Sequence, residues 1–191
     1  MKQNRARNEK YPDRVIKICQ QIIKEKILPF RHKKMVKSYI KMKIQINVSI
    51  QIQKPNDQVF EAIVNPEHMC QYFISASSGK MEEGAELIWN FPEFNGDVPI
   101  RVGKITPNLL VTYYWSINDV EVEVAMELEE RADGSTVVRI TEKEMENDEA
   151  GISWIKGNTE GWANFSACLK AYLEYGINLR KGAFIYRFDK K

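Results

Sequence analysis

A single change of hydrophobic period constrains this chain more than any other feature. From Lys43 the apolar residues Ile44, Ile46, Val48, Ile50 and Ile52 alternate with Gln45, Asn47, Ser49, Gln51 and Gln53. Side chains on a strand point alternately to opposite faces, so this stretch predicts a half-buried β-strand. After Asp148-Glu149-Ala150-Gly151 the repeat lengthens, with Ile155, Thr159, Trp162, Phe165, Leu169, Tyr172, Leu173 and Gly176 on one helical stripe. The spacing predicts a helix over about 153–178, nearly 40 Å long at about 1.5 Å per residue. A helix of that length can cross the whole concave face of a sheet.

Between these two elements, Pro55-Asn56-Asp57 opens a short helix carrying Val59, Phe60 and Ile63, and Asn65-Pro66 breaks it before a second one running through Met69 to Phe73. Turn chemistry then recurs at Gly79, Glu83-Gly84, Asn95-Gly96, Pro107-Asn108, Asn118-Asp119 and Asp133-Gly134. It separates apolar stripes of period two: Leu87, Trp89 and Phe91; Val98, Ile100 and Val102; Val111, Tyr113 and Trp115; and Val120, Val122, Val124, Met126 and Leu128, opposite Glu121, Glu123, Glu127 and Glu129. Four or five strands joined by such turns predict an antiparallel meander. The expected fold is α+β: one strand, two short helices, the meander, and one long helix gripped by the curved sheet.

Ahead of this pattern, residues 1–41 hold 13 Lys and Arg against 3 Asp and Glu, and residues 42–191 hold 15 against 23, a net of +10 beside −8. The division expected is a basic extension over 1–41 and one domain over 42–191. Within the extension, Val15, Ile18, Cys19, Ile22, Ile23 and Ile27 recur at helical spacing, ending at Pro29. Such an arm could bind nucleic acid, an anionic membrane or the acidic domain itself. Alternatively it is an over-extended reading frame with natural translation starting at Met35 or Met42.

Other classes of chemistry find little support. Cys19, Cys70 and Cys168 are odd in number and far apart, which predicts free thiols in a reducing, cytoplasmic setting. With His32 and His68 the only histidines, no metal-ligand spacing and no nucleophile-base-orienter set can be assembled, and no glycine-rich phosphate loop is present. Neither a cofactor nor a catalytic residue is expected. No apolar run approaches the roughly 20 residues of a membrane-spanning helix.

Particular words in the sequence add a resemblance. Val59-Phe60-Glu61-Ala62-Ile63, Gln71-Tyr72-Phe73-Ile74, Ile140-Thr141-Glu142, Thr159-Glu160-Gly161-Trp162 and Leu169-Lys170-Ala171-Tyr172-Leu173 follow one another in an order and spacing similar to the SRPBCC (START-like) superfamily, and within it the activator of heat shock protein 90 ATPase homologue-like family. The resemblance covers about residues 43–181. It implies a helix-grip fold whose cavity, between sheet and helix, holds a small apolar or amphipathic molecule, with a chaperone as the runner-up partner. The eukaryotic activators that name the family have a further chaperone-stimulating domain and a short Asn- and Trp-rich motif, for which this chain shows no counterpart.

If the cavity is present, the inward stripes should wall it: Phe73, Trp89, Phe91, Val102, Tyr113, Trp115, Val124 and Met126 from the sheet side, with Trp162, Phe165 and Leu169 from the helix. Taken one by one, these residues fit a filled core better; the resemblance is what favours a cavity. Glu142 shares the parity of Ile140. The residues alone place it in water beside Lys143 at a strand end, and the alternative is a buried ligand anchor or general base. Gly161 beside Trp162 is expected to let the helix approach the sheet closely.

Overall fold

The computed structural model describes residues 43–93, 95–117 and 119–188. The basic extension, its expected helix over 15–27, and Cys19 lie outside them. Strand β1 (Lys43–Ile52) leads into helices α1 (Asn56–Val64) and α2 (Pro66–Met69). Six strands follow, not four or five: β2 (Ala76–Ser77), β3 (Glu86–Asn90), β4 (Val98–Thr106), β5 (Leu110–Ile117), β6 (Val120–Glu130) and β7 (Thr136–Glu146). The extra strand is two-residue β2, too short to carry a visible alternation. Helix α3 (Glu149–Tyr175) and a 3-10 turn (Ile185–Phe188) complete the described chain.

All neighbouring strands are antiparallel, in the order β1-β7-β6-β5-β4-β3-β2. The meander is as the turns predicted, and β1 closes on the last strand to complete it. Register shifts between Ile44 and Ile46 and between Val102 and Ile105 mark bulges, which bend a sheet and sharpen its twist. The second bulge requires glycine, since a Cβ on Gly103 would lie 2.5 Å from Thr112 Oγ1.

Helix α3 begins four residues before the apolar stripe suggested, because Asp148 caps it by accepting a hydrogen bond from Gly151 N–H at 2.9 Å. It ends where Gly176 turns left-handed at φ 67°. Its buried face includes Trp154, Trp162, Phe165, Cys168 and Leu169, whereas Thr159, expected on that stripe, is exposed. Val120 likewise leaves its expected inward stripe at 42% exposure, because it follows directly on the Asp119 turn. The close approach expected at Gly161 occurs instead at Gly151. A Cβ there would collide with the Glu146 carbonyl oxygen, while one on Gly161 would meet open space.

Outside the sheet, the acidic face of β6 is bound into cross-strand ion pairs. Arg101 reaches Glu121 at 3.0 Å, Lys143 reaches Glu123 at 3.0 Å and Arg139 reaches Glu129 at 2.7 Å. Tyr114, beneath the Arg101 guanidinium at 4.0 Å, donates to Glu123 at 2.9 Å. The Lys143 ammonium beside Glu123 holds that carboxyl below its usual range. Among the described residues no helix is long and apolar enough to cross a membrane.

Candidate functional site

A pocket of about 500 Å³ opens between the sheet and the middle of α3. Its sheet wall is Val98 of β4 and Trp115, Ser116 and Ile117 of β5. The opposite wall is Gly157, Asn158, Glu160, Gly161, Trp162 and Asn164 of α3. Phe73 after α2, Phe91 and Glu93 after β3, and Arg180 and Phe184 after α3 complete the lining. Gly157 and Gly161 lie one helical turn apart, and neither would bring a Cβ within 4 Å of another group. Mid-helix glycine costs about 1 kcal/mol relative to alanine, so helix stability is given up where side chains would narrow the pocket.

Behind this wall sits Glu142, fully buried at 0% exposure. Strand parity carries it inward with Ile140, and the register sets it between Ile46 of β1 and Val124 of β6. The expectation of a solvated strand end is overturned, since β7 runs on to Glu146 and α3 crosses above it. Glu142 Oε1 accepts from Trp115 Nε1–H at 2.9 Å and from Asn158 Nδ2–H at 3.1 Å. Its Oε2 accepts from Trp162 Nε1–H at 2.7 Å and from the same amide at 3.2 Å. Three neutral donors on two elements thus replace the water that burial removes, and each donor residue also faces the pocket. Arg101 and Arg139, on the outer face, take no part.

Of the residues expected to wall a cavity, Phe73, Phe91, Trp115 and Trp162 do line the pocket. Trp89, Val102, Tyr113, Val124, Met126, Phe165 and Leu169 are buried to 2% exposure or less and pack behind it. The two groups join through Phe73, whose ring meets Phe165 edge-on at 4.7 Å, and through Tyr113, which meets Trp115 at 5.7 Å. The Tyr113 hydroxyl has no hydrogen-bond partner, and burial, with the Glu142 charge adding, pushes its pKa well above the usual range. Tyr113→Phe is therefore expected to leave stability unchanged or raise it by up to about 1 kcal/mol, read as a chemical-denaturation midpoint, because no bond is lost with the hydroxyl.

Sequence reasoning missed Asn158, Glu93, Arg180, Phe184 and Gly157. Asn158 stands four residues before Trp162, on the same helix face, and that spacing was the available signal. Glu93 and Arg180 carried none, lying in irregular segments brought together only by the fold. Arg180 Nε lies 2.5 Å from Glu93 Oε1, an ion pair whose side chains are 12% and 4% exposed. Among the described residues no group of three or more His, Cys, Asp and Glu side chains could hold a metal ion.

Comparison with known proteins places this architecture. None of the curated proteins matches the chain. Among solved structures it is similar to a protein from Staphylococcus saprophyticus at 30% identity, covering 72% of this chain and 96% of that one with a TM-score of 0.62. It is also similar to DynU16, a protein of the dynemicin biosynthetic locus, at 25% identity and TM-score 0.62, covering 69% of this chain but 48% of that one, about half its length. The Aha1 dimer from Colwellia psychrerythraea, at 23% identity, 70% and 98% coverage and TM-score 0.61, shares the fold. The model of the activator of Hsp90 ATPase homolog 1-like proteins matches residues 53–174, from the end of β1 through nearly all of α3, and the chain belongs to that family.

Proposed function

We propose that this protein is a binding module for small apolar or amphipathic molecules, held between the sheet and α3. The observation that carries this reading is the pocket itself: about 500 Å³, walled by Phe73, Phe91, Trp115 and Trp162, with buried polar groups converging on it. That combination of an apolar wall and a few placed polar groups is typical of small-molecule sites. Family membership supports it, as does the likeness to DynU16, a protein of the dynemicin biosynthetic locus. A chaperone partner is suggested by the family description, but three of the four outward β6 glutamates named above are already paired within the sheet. Residues 42–191 are taken as the binding domain.

A filling variant tests the reading without disturbing the core. Gly161→Leu projects a side chain into the pocket from a position with no neighbour within 4 Å. Helix propensity favours leucine over glycine by roughly 0.5–1 kcal/mol, so the melting temperature should hold or rise. Binding of the neutral apolar dye N-phenyl-1-naphthylamine, followed by its fluorescence, should weaken by tenfold or more, about 1.4 kcal/mol. Equal dye binding by a well-folded Gly161→Leu protein would place the dye elsewhere and defeat the proposal.

A further inference from the structure

We infer that the pocket selects an organic cation, an apolar amine or amidine, and that Arg180 of the chain's own C-terminal segment holds the cation's place when no ligand is bound; this rests on the pocket being a ligand site. The first ground is Glu93. Its side chain is 4% exposed, it lines the pocket, and its charge is met by the Arg180 guanidinium, whose Nε lies 2.5 Å from Oε1. A buried carboxylate needs a cationic partner, and a ligand ammonium or amidinium aimed at it takes the place that Arg180 holds.

The second ground is the company that Arg180 keeps. Its guanidinium carbon lies 5.3 Å from the centre of the Phe73 ring, 5.4 Å from Phe184 and 6.0 Å from Phe91. Aromatic faces attract cations within about 6 Å, and several rings around one carboxylate form a cage suited to an ammonium or amidinium group. The chain's own guanidinium demonstrates the fit.

Charge gives a third ground. The lining contains two carboxylates, Glu93 and Glu160, against one cation, Arg180, and Glu142 lies directly behind Trp115 and Trp162. An acidic, aromatic, partly enclosed space concentrates cations. An anion bound to Arg180 would have to part it from Glu93 and leave that carboxylate buried and alone, which is the costlier exchange. Arg180 is also placed to yield. It follows the left-handed Gly176, and its backbone N–H is held by Asn178 Oδ1 at 3.0 Å, close to the half-exposed Ile177 and Leu179. A short surface segment of this kind opens at small cost.

Three naphthalene probes of one shape and different charge test the inference on the full chain: 2-naphthylmethylamine, 2-naphthylmethanol and 2-naphthoate, titrated by calorimetry. The amine should bind at least about tenfold tighter than the alcohol, in line with a charge-assisted hydrogen bond. Arg180→Gln should strengthen amine binding severalfold more than it changes binding of the alcohol. Glu93→Gln should erase the amine's advantage while the alcohol still binds. The double variant Glu93→Gln/Arg180→Gln, which leaves no lone buried charge, should erase it as well and guards against a Glu93→Gln protein that fails to fold. Equal binding of amine and alcohol, or tightest binding of naphthoate, overturns the cation inference and leaves the pocket reading standing. Failure of all three probes to bind overturns both.

Discussion

Trp162→Ala is expected to cost about 3–5 kcal/mol, the usual range for truncating a large buried aromatic. Trp162 is 3% exposed and its ring meets Phe165 at 5.5 Å, Trp115 at 5.7 Å and Phe73 at 6.4 Å. Truncation opens a void at that aromatic junction and removes the shortest hydrogen bond to Glu142. For a domain whose whole stability is on the order of 5–15 kcal/mol, the loss should appear as a large fall in urea midpoint, and a weakly stable host would unfold. Trp162→Phe separates the two contributions. It keeps most of the ring and drops the indole N–H, so about 1–2 kcal/mol should be lost. A Trp162→Ala protein within about 0.5 kcal/mol of the parent, the range of an ordinary surface substitution, would mean that the helix does not press this ring against the sheet.

Glu142→Gln should cost about 1–3 kcal/mol although it is nearly isosteric, because an amide nitrogen replaces one acceptor oxygen and turns a donor toward an indole N–H that then has no partner. Whichever way the new amide faces, either Trp115 or Trp162 is left unsatisfied. A surface control, Glu127→Gln on the outward face of β6, should change stability by no more than about 0.5 kcal/mol. Combining Glu142→Gln with Trp162→Phe should cost less than the sum of the single changes by about 0.5 kcal/mol or more, since both act on one hydrogen bond. Strict additivity, measured by denaturation, would show that the carboxylate and the indole are not coupled.

These expectations explain why Trp162→Phe alone is a poor test of ligand binding. The sequence presents Trp162 as a residue of either the core or a cavity wall, and the structure makes it both a wall residue and a donor to a buried carboxylate. A change there alters stability and pocket together. A side chain added at Gly161, whose Cβ position is open, narrows the pocket without loss of stability.

Local chemistry determined much of this protein from the sequence by itself. Alternating residues define the faces of β1 and β6, the lengthened apolar repeat marks the long helix, and Glu142 shares the parity of Ile140. Those features are legible because each depends on residues only a few positions apart. Depth is different, since alternation says which face a side chain takes and not what lies above it. So Trp89, Tyr113, Phe165 and Leu169 carry the same pattern as Trp115 and Trp162 yet fill the core, while the latter pair border open space. The donors that make Glu142 tolerable come from β5 and from two turns of α3, and the Glu93–Arg180 pair joins two irregular segments with no period at all. Only the closing of the sheet on the helix brings such groups together, because a hydrogen bond or an ion pair is set by distance in space, and sequence periodicity reports distance only along one element.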